Sequence, residues 1–420
     1  ANFSFRADVG PVIDPYALFC QLETAHPVPY AAYIETDDWQ LVSLSPELFL
    51  KRVGQLLISE PMKGTVERGL TFAEDEQNRL FLESDEKNCA ENLMIVDLMS
   101  KICEMGSVEV PELFSARRFP SLHQLVSRVV GRLREHVNLE EILRATFPAG
   151  SITGAPKIRA MEVISELESE GRKAYTGSVG LFMPGGDFSL NVAIRTLSCQ
   201  QQNKGSPAEL GVGSGVVANS YGPAEWSECL LKSDFLHYRR LHTEVFETML
   251  WQGSFLWLEA HLSRLEQSSH YFSIPFDGPA VRHQLGELEA SFEQGEYRVR
   301  LGIDITGQVE LQSTKLELIG WGRPRLKLLI SAGSVDSKNR YQYHKTDYRP
   351  LYEPGFKAAT EAGFDEVLFL NEMGSVVEGA ISNIFIRSGS TWVTPPVSSG
   401  LLAGIWRQNY LESNLAIEEV

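Results

Sequence analysis

The distribution of apolar residues along the chain predicts alternating strands and helices. Over residues 1–240, short runs such as "WQLVSLS" and "KAYTGSVGLFM" are rich in aliphatic and aromatic residues, as strands are. Between these runs lie longer segments whose apolar residues recur three or four positions apart, as in helices. The pattern predicts a mixed α+β fold for this half of the chain and for the half that follows it.

Two helices are predicted from apolar spacing. In "APKIRAMEVISELESEG" a proline suits the first turn and a glycine suits the end, so we expect a helix that starts near Pro156 and ends before Gly171. The segment "CAENLMIVDLMSKI" predicts a second helix. The apolar positions that share a face are Ile158, Met161, Ile164 and Leu167 in the first helix, and Leu93, Val96 and Met99 in the second.

The basic and polar stretch "HYRRLHTE" at 237–244 is the best candidate for a linker. The residues after it, "VFETMLWQGSFLWLEAHLSRLEQSSHYFSI", predict a hairpin that turns at Gly253 and then a helix. A length of 420 residues also favours more than one domain. We therefore expect a first domain over 1–238 and a second domain over 243–420.

Composition excludes some classes of function. The formal net charge of -17 argues against a nucleic-acid binder, which needs a basic surface. Five scattered cysteines without a C-x-x-C pair favour a reduced, cytoplasmic protein over a disulfide scaffold. No apolar run approaches the length of a membrane span, and we see no signal peptide, so no membrane association is expected.

Carboxylates on separate predicted helices indicate a candidate metal site. Glu225 and Glu228 lie three residues apart on one helix and share a face, and Glu91 lies on another helix. Such carboxylates can converge on Mg²⁺, a hard cation that prefers oxygen ligands and shares them with substrate anions. The alternative is solvated surface charge, which is the usual state of a glutamate.

Neither of two glycine-rich motifs predicts a nucleotide site. "GSITGAPK" lacks the G-K-[ST] ending of a P-loop, and "GVGSGVV" lacks the third glycine at dinucleotide spacing. Both can offer backbone N–H groups to a carboxylate. We expect the second motif to be a turn that leads into the helix of Glu225 and Glu228.

Seven motifs occur in the order found in chorismate-utilising enzymes, and residues 1–236 resemble that family almost throughout. The motifs are "SPELFL", "PMKGT", "AENLMIVDL", "GSITGAPKIRAMEVISELE", "YTGSVG", "LNVAIRTL" and "GVGSGVVANSYGPAEWSE". The family includes anthranilate synthase component I and aminodeoxychorismate synthase component I. "PMKGT" resembles the latter, because anthranilate synthases carry alanine where Lys63 stands. The resemblance implies a chorismate-binding α/β sandwich with large β-sheets.

The same resemblance implies a set of site residues. Glu91 and Glu228 would hold Mg²⁺ with support from Glu225, and the metal would clamp the substrate carboxylate. The residues expected to bind the carboxylates of chorismate are Tyr175, Arg195 and the amides of Gly213, Ser214 and Gly215, and those expected near the ring are Glu47 and Thr153. Arg195 suits its role because a guanidinium binds a carboxylate through two parallel hydrogen bonds. A surface arginine is the alternative.

By this resemblance Lys63 would be a catalytic nucleophile. Its amine would add at ring C2 with loss of the C4 hydroxyl, and ammonia would then add at C4 and expel the lysine. This chemistry needs a neutral amine, whereas nearby glutamates favour the charged form unless Mg²⁺ neutralises them. The residues alone leave open whether Lys63 is a nucleophile or a surface cation at a turn.

The first half departs from the family pattern in places. Gln124 stands where anthranilate synthases have a histidine, so proton transfer by histidine at that position is not expected. Ser100-Lys101-Ile102 replaces the family's R-N-D. The family's N-terminal region does not precede "ANFSFRA", so we expect the first domain to be N-terminally short.

The second half resembles fold-type IV pyridoxal-phosphate enzymes from about residue 245 to 415. The motifs, in order, are "FETMLWQGSFLWLEAHLSRLEQS", "HKTDYR", "DEVLFLNEMGSVVEGAISNIF" and "GLLAGIWR". By this resemblance Lys345 would bind the cofactor covalently, and Glu378 would face its pyridine nitrogen. A surface lysine is the alternative for Lys345.

The cofactor's phosphate would be held by Arg264 and by the amides of Gly404 and Ile405. Trp406 stands where relatives have threonine or serine, so one phosphate hydrogen bond is expected to be missing. The family's last segment does not follow, and we expect the second domain to be C-terminally incomplete.

Together the resemblances imply a bifunctional enzyme of 4-aminobenzoate synthesis for folate. Chorismate would be aminated to 4-amino-4-deoxychorismate with ammonia from a separate glutamine amidotransferase subunit, and Lys345 would move protons while pyruvate is eliminated. The cofactors would be Mg²⁺ and pyridoxal 5'-phosphate, and a homodimer through the second domain is expected.

Three alternatives stay open. In the first alternative, the second domain is a branched-chain or D-amino-acid aminotransferase, because several chemistries use the same fold and cofactor. In the second alternative, the first domain has an activity like that of anthranilate synthase. In the third, the chain is a non-catalytic ligand-binding or scaffolding protein.

Overall fold

A computed structural model describes residues 1–85, 98–200, 207–317 and 326–419. The chain divides into two compact units, of which the first comprises Ala1–Arg68 and Glu76–Arg239, and the second comprises Gly69–Asp75 and Arg240–Val420. Each unit combines strands with helices, so the predicted α+β class is confirmed.

Antiparallel strands dominate the described part of the first unit. The strands are β1 (Asn2–Pro11), β2 (Tyr30–Glu35), β3 (Trp39–Ser45), β4 (Leu48–Val53), β5 (Leu56–Glu60), β6 (Met62–Glu67), β7 (Glu109–Arg118), β8 (Leu122–Arg132), β9 (Gly180–Phe182), β10 (Phe188–Asn191), β11 (Thr196–Gln200) and β12 (Pro207–Gly215). The helices are α1 (Pro15–Ala25), α2 (Phe72–Ser84, which belongs to this unit from Glu76 onward), α3 (Leu139–Thr146), α4 (Lys157–Leu167) and α5 (Gly222–Ser233).

These strands form two sheets. One has the order β1-β12-β11-β3-β2, and the other has the order β6-β8-β5-β4-β10-β9, with β7 also paired to β8. The strand predicted from "WQLVSLS" is confirmed as β3, which is buried from Leu41 to Ser45. Val42 and Leu44 pack with Leu22 of α1, Leu197 of β11 and Leu210 of β12. Burial of these aliphatic side chains stabilises the sheet against its covering helix.

The prediction from "KAYTGSVGLFM" is only partly correct. In that run, Gly180–Phe182 form a strand, whereas the residues before it do not. The backbone is left-handed at Lys173 and Thr176, with φ of 51° and 61°, and this conformation interrupts an extended chain.

Helix α4 confirms the predicted start near Pro156, which is its N-cap. Its apolar face is not covered in the described structure, because Ile158 and Leu167 are 77% and 64% exposed and the buried residue of the helix is Ala160. In the second predicted helix, Met99 is buried, and Leu93 and Val96 lie outside the described residues.

The predicted glycine-rich turn "GVGSGVV" is instead the end of β12, followed by an irregular segment before α5. Gly211, Gly213 and Gly215 lie opposite Arg6, Ser4 and Asn2 of β1. Glycine is needed here for close approach, because a Cβ at Gly213 would lie 2.5 Å from the Phe3 carbonyl oxygen. The motif therefore builds a strand, and its spacing of glycines reflects packing on one side of that strand.

The second unit contains further strands and helices in its described residues. The strands are β13 (Glu244–Trp251), β14 (Glu296–Asp304), β15 (Val309–Leu316), β16 (Leu328–Val335), β17 (Glu366–Asn371), β18 (Val376–Gly379), β19 (Ile386–Ser388), β20 (Thr391–Thr394) and β21 (Ala416–Glu418). The helices are α6 (Leu258–Tyr271), α7 (Gly278–Ala290), α8 (Tyr352–Glu361) and α9 (Ile405–Glu412).

Three sheets of three strands organise these described residues. They are β13-β14-β15, which is antiparallel, β16-β17-β18, in which β16 and β17 are parallel, and β19-β20-β21, in which β20 and β21 are parallel. The hairpin predicted at Gly253 is confirmed, because its φ is 80° and Phe255 pairs back with Trp251. The predicted helix follows as α6. Residues 238–243 of the candidate linker have neither helix nor strand.

Among the described residues, no helix is both long and apolar enough to cross a membrane. Cys20, Cys103, Cys199 and Cys229 are free thiols, and Cys89 lies outside the described residues.

The contact between β12 and Tyr175 gives a test of this fold. A Cβ on Gly211 would lie 2.1 Å from Cγ of the Tyr175 ring. We predict that Gly211→Ala lowers the free energy of unfolding of the first unit by about 1–3 kcal/mol, because the ring or the strand must move. Chemical denaturation measures this, with Gly222→Ala as the control, since nothing lies within 4 Å of a Cβ there. Equal stability of both variants and the parent would contradict the contact.

Candidate active sites

One cavity in the first unit is lined by most of the residues predicted to act on chorismate. These are Glu47, Lys63, Tyr175, Arg195, Gly213, Gly215 and Glu228. Strand β6 of one sheet and strand β12 of the other both contribute. The two sheets therefore bring together side chains that are far apart in sequence.

Lys63 lies on a strand, and its predicted position at a turn is wrong. The upstream apolar run forms the hairpin β4–β5, and "MKGT" belongs to β6. The register between β6 and β8 shifts between Lys63 and Thr65, and Gly64 has φ of 80°. Glycine adopts this left-handed conformation without strain, and such a bulge redirects the side chain beside it. Lys63 lines the cavity, and its Nζ donates to Oδ1 of Asn2 at 3.2 Å.

Glu47 is a buried carboxyl on the cavity wall, with 2% of its surface exposed. Burial raises its pKa to about 7, although Ser151, the Met62 amide and the cation of Lys63 act in the opposite direction. A carboxyl with this pKa can both donate and accept a proton near neutral pH.

Arg195 is a buried guanidinium on the same wall, with 5% exposed. Its Nη2 donates to Oε1 of Gln124 at 2.9 Å, and its guanidinium carbon lies 5.4 Å from the centre of the Phe119 ring. Burial lowers the pKa of Arg195 to about 10. Among the described residues, its buried Nη1 has no hydrogen-bond partner. A carboxylate at this position would satisfy it.

Tyr175 also lines the cavity, and the guanidinium of Arg6 lies 5.0 Å from its ring centre. Burial raises the pKa of its phenol. Thr153 and Ser214 are buried but are not on this wall. Thr153 donates to the Ala149 carbonyl at 3.0 Å, so its hydroxyl serves the local turn.

Of the predicted metal ligands and their supporting carboxylate, the structure describes Glu228 and Glu225. Glu228 lines the cavity and forms an ion pair with Lys232 at 2.6 Å. Glu225 is not on the wall, and its Oε1 accepts a hydrogen bond from Ser220 at 2.6 Å. Glu91 lies outside the described residues. No group of three histidine, cysteine or acidic side chains converges in the parts of the chain that the structure describes.

Sequence reasoning did not identify several residues on this wall. Those with polar side chains include Asn2, Ser151, Arg172 and Lys232. Lys232 could have been identified from its position four residues after Glu228, where an ion pair is expected on a helix. Gln124 was recognised as a departure from the family, but its partner lies 71 residues away and nothing local indicates it.

A cavity in the second unit contains Lys345 and Glu378 together. Burial lowers the pKa of Lys345 to about 8. Its backbone carbonyl accepts from the Phe246 amide at 2.9 Å, and its Nζ lies 4.8 Å from the Phe246 ring centre. Strand β13 thus positions the lysine, and the amine is the type of group that attaches a carbonyl cofactor.

Glu378 is held at the end of β18. The Tyr352 hydroxyl lies 3.0 Å from Oε1, and the Asn383 amide donates to Oε2 at 3.1 Å. Burial raises the pKa of Glu378 to about 7. A pyridinium N–H opposite this carboxyl would supply the positive partner that a buried carboxylate needs, so the residue fits the predicted role.

Arg264 does not line the Lys345 cavity. Its Nε and Nη2 donate to the two oxygens of buried Glu247, each at 2.7 Å, and its Nη1 donates to the Ala403 carbonyl at 2.8 Å. Burial alone would raise the pKa of Glu247, but Arg264 and His261 lower it to about 2. The guanidinium thus lies next to Gly404, the N-cap of α9.

Gly404 and Ile405 form the start of α9, where free amides suit a phosphate. A Cβ on Gly404 would lie 2.0 Å from Oδ1 of Asn383, so the backbone approaches closely. Trp406 is 53% exposed and stacks on Tyr410 with ring centres 4.8 Å apart. Trp406 therefore lacks the hydroxyl that threonine or serine at this position would offer to a phosphate.

The burial of Glu47 predicts a pH dependence. The pKa of Glu47 is about 7 in the folded chain and 4.5 ordinarily. Between these two pH values the folded chain therefore keeps a proton on Glu47 that the unfolded chain has released. Stability therefore falls as pH rises from 4.5 to about 7 and does not fall further above it.

We predict that Glu47→Gln removes this fall in stability with rising pH, which is on the order of 3 kcal/mol in the free energy of unfolding. Chemical denaturation of parent and variant across the window measures the difference, with exposed Glu23→Gln as the control. Parallel curves for the parent and Glu47→Gln would contradict the prediction.

Residues 1–238 match the family model of chorismate binding enzymes, and residues 244–420 match that of class IV amino-transferases. The class IV match implies pyridoxal phosphate as the cofactor of the second unit. The cluster of Lys345 and Glu378 fits this group, as described above.

Known relatives match somewhat more than half of the chain. Aminodeoxychorismate synthase component 1 of Klebsiella aerogenes is 42% identical over 219 residues, which are 51% of this chain and 48% of that protein. Anthranilate synthase component 1 3 of Haloarcula marismortui is 41% identical over 258 residues, 60% of this chain and 50% of that protein. A solved anthranilate synthase component I from Streptococcus pneumoniae has a TM-score of 0.50 and 32% identity, covering 56% of this chain and 52% of that one.

The chain spans about half of the length of these relatives, or less for others such as the aminodeoxychorismate synthase of Arabidopsis thaliana, at 24%. The family match nevertheless extends over more than half of the chain and includes the whole cavity around Lys63. The chain belongs to the family of chorismate binding enzymes.

Proposed function

We propose that the chain makes 4-aminobenzoate from chorismate in two steps, amination at ring C4 in the first unit and elimination of pyruvate in the second. The observation that carries the proposal is that one chain contains both a chorismate-family cavity with Lys63 and a class IV cavity with Lys345. The product of the first reaction is the substrate of the second. This relation favours a lyase over an aminotransferase for residues 244–420.

In the first step, Arg195 binds a carboxylate of chorismate through its buried Nη1. Tyr175 and the backbone at Gly213 and Gly215 complete the carboxylate site. Because Arg195 is already held by Gln124, little ordering is needed when substrate enters. The buried position also strengthens the attraction between the guanidinium and the carboxylate.

The covalent chemistry is assigned to Lys63. Its neutral amine forms a bond to ring C2 while the C4 hydroxyl leaves, and ammonia then bonds to C4 while the C2–N bond to lysine breaks. The net reaction exchanges hydroxyl for amine and releases one water. The leaving hydroxyl takes a proton, and Glu47, with a pKa of about 7, is the group on the cavity wall suited to supply it.

We assign Mg²⁺ to Glu228 and Glu91, with support from Glu225, as the resemblance implies. Carboxylate oxygens are the donors that this cation prefers, and Glu228 has the required position on the cavity wall. Bound Mg²⁺ would supply positive charge for the substrate carboxylate. Ammonia is assigned to a separate glutamine amidotransferase. A cytoplasmic location and a homodimer through the second unit stay predictions.

In the second step, pyridoxal phosphate supplies an electron sink when it is bound. Lys345 would hold the cofactor and would move protons at the substrate, which its lowered pKa of about 8 favours. Glu378 would stabilise a positive charge at the pyridine nitrogen. Arg264 and the first amides of α9 lie side by side, and we assign the phosphate to that position.

The amination assignment predicts the behaviour of a Lys63 variant. Lys63→Ala should lower the rate of 4-amination by about 1,000-fold or more, because the nucleophile is lost. Chorismate binding should change far less, since Arg195 is retained. Amination is measured with chorismate, ammonium and Mg²⁺ by separation of the products.

Exposed Lys51→Ala is the matched control for this experiment. Omission of Mg²⁺ should abolish amination by the parent if Glu228 and Glu91 hold the metal. Native amination by Lys63→Ala would show that Lys63 is not the nucleophile. Formation of anthranilate alone by the parent would refute the assignment to aminodeoxychorismate.

The second unit is tested by its absorbance with pyridoxal phosphate. We expect a band of covalently bound cofactor that borohydride fixes to the chain, and Lys345→Ala should lack it. Exposed Lys338→Ala is the control. Absence of the band in the parent would favour a non-catalytic second unit, and rapid conversion of the cofactor to its pyridoxamine form by an amino acid would favour an aminotransferase.

A further inference from the structure

Gln124 and Arg195 form a buried pair at the wall of the first cavity. Gln124 lies on β8, where its neighbours in register are Thr65 of β6 and Arg117 of β7, so strands on both sides fix its backbone. It is 6% exposed and Arg195 is 5% exposed. Water cannot readily replace a hydrogen bond between two side chains buried in this way.

The direction of the bond follows from chemistry. A guanidinium has only donors, so the contact of 2.9 Å between Nη2 of Arg195 and Gln124 must be made to the amide oxygen Oε1. The Phe119 ring lies 5.4 Å from the guanidinium carbon and supplies a second contact. Arg195 itself has left-handed backbone, with φ of 48°, immediately before β11.

These contacts leave Nη1 of Arg195 buried and without a partner among the described residues, although the residue lines the cavity. Gln124 is neutral, so it orients the guanidinium without cancelling its charge. A glutamate at this position would keep the hydrogen bond but neutralise the charge, and an aliphatic residue would remove the hydrogen bond. Orientation and charge are therefore separable by substitution.

We propose that Gln124 is a positioning residue, which sets the Arg195 guanidinium for a substrate carboxylate and keeps its positive charge available. The inference rests on the proposed function, since it takes chorismate as the anion. It also accounts for the departure at this position. A hydrogen-bond acceptor is retained where anthranilate synthases have histidine, and no proton transfer is required of it.

Three variants separate the parts of this proposal. Gln124→Leu should raise the Kd and KM for chorismate about tenfold or more, with a smaller change in kcat, because Arg195 loses its orientation. Gln124→Glu should also weaken binding, although its hydrogen bond persists. Gln124→His should restore most of the affinity when assayed near pH 8, where an ordinary histidine is a neutral acceptor.

Gln55→Leu is the matched control, because Gln55, in the turn between β4 and β5, accepts from Nη1 of Arg132 at 3.1 Å on the exposed surface. Calorimetric titration of chorismate with Mg²⁺ present measures Kd, and the amination assay separates KM from kcat. Unfolding curves establish that each variant is folded. Loss of affinity in the Leu and Glu variants, with recovery in the His variant, supports the proposal.

The proposal is overturned if Gln124→Leu and Gln124→Glu bind chorismate as the parent does. It is also overturned if kcat falls in every variant while Kd is unchanged, since Gln124 would then act in the chemistry. Failure of the proposed function is a different result. In that case the parent itself would neither bind chorismate nor aminate it.

Discussion

The burial of ionisable side chains is the physical constraint on which both cavities depend. Arg195 and Glu47 in the first unit, and Lys345 and Glu378 in the second, are largely withdrawn from water. In each case burial shifts the pKa in the direction that favours the neutral form. The pKa is about 10 for Arg195, 7 for Glu47, 8 for Lys345 and 7 for Glu378. Groups held in this state gain stability from a ligand of opposite charge, because the ligand replaces the water that folding removed.

A contrasting case shows why incomplete pairing matters. Glu247 is buried as deeply as these groups, with 1% exposed, yet Arg264 and His261 satisfy it and lower its pKa to about 2. It therefore stays charged and supports the position of Arg264. Among the residues that the structure describes, Glu47 has no such bidentate partner, and burial raises its pKa instead. The same side chain serves structure when it is fully paired and suits proton transfer when it is not.

Much of the fold can be predicted from the sequence, whereas some contacts of the first cavity cannot, for physical reasons. Local patterns predict β3, the start of α4 and the hairpin at Gly253, because turn chemistry and apolar spacing act over a few residues. The segment at Gly213 was predicted as a turn, since glycine spacing does not distinguish flexibility from close strand packing. The pairing of Gln124 with Arg195 depends on strand order, and no local pattern encodes a contact over 71 residues.

Burial also bears on the neutral amine that the proposed role of Lys63 requires. Carboxylates near an amine favour its charged form, but two on this wall do so weakly. Glu47 is partly protonated near neutral pH, and Glu228 is paired with Lys232 at 2.6 Å. A metal on Glu228 would compete with that ammonium for the carboxylate, and Lys232 also lines the cavity. Binding of Mg²⁺ would thus add the charge of the ion and leave that of Lys232 less compensated, and both effects favour a neutral amine at Lys63 and an anionic substrate.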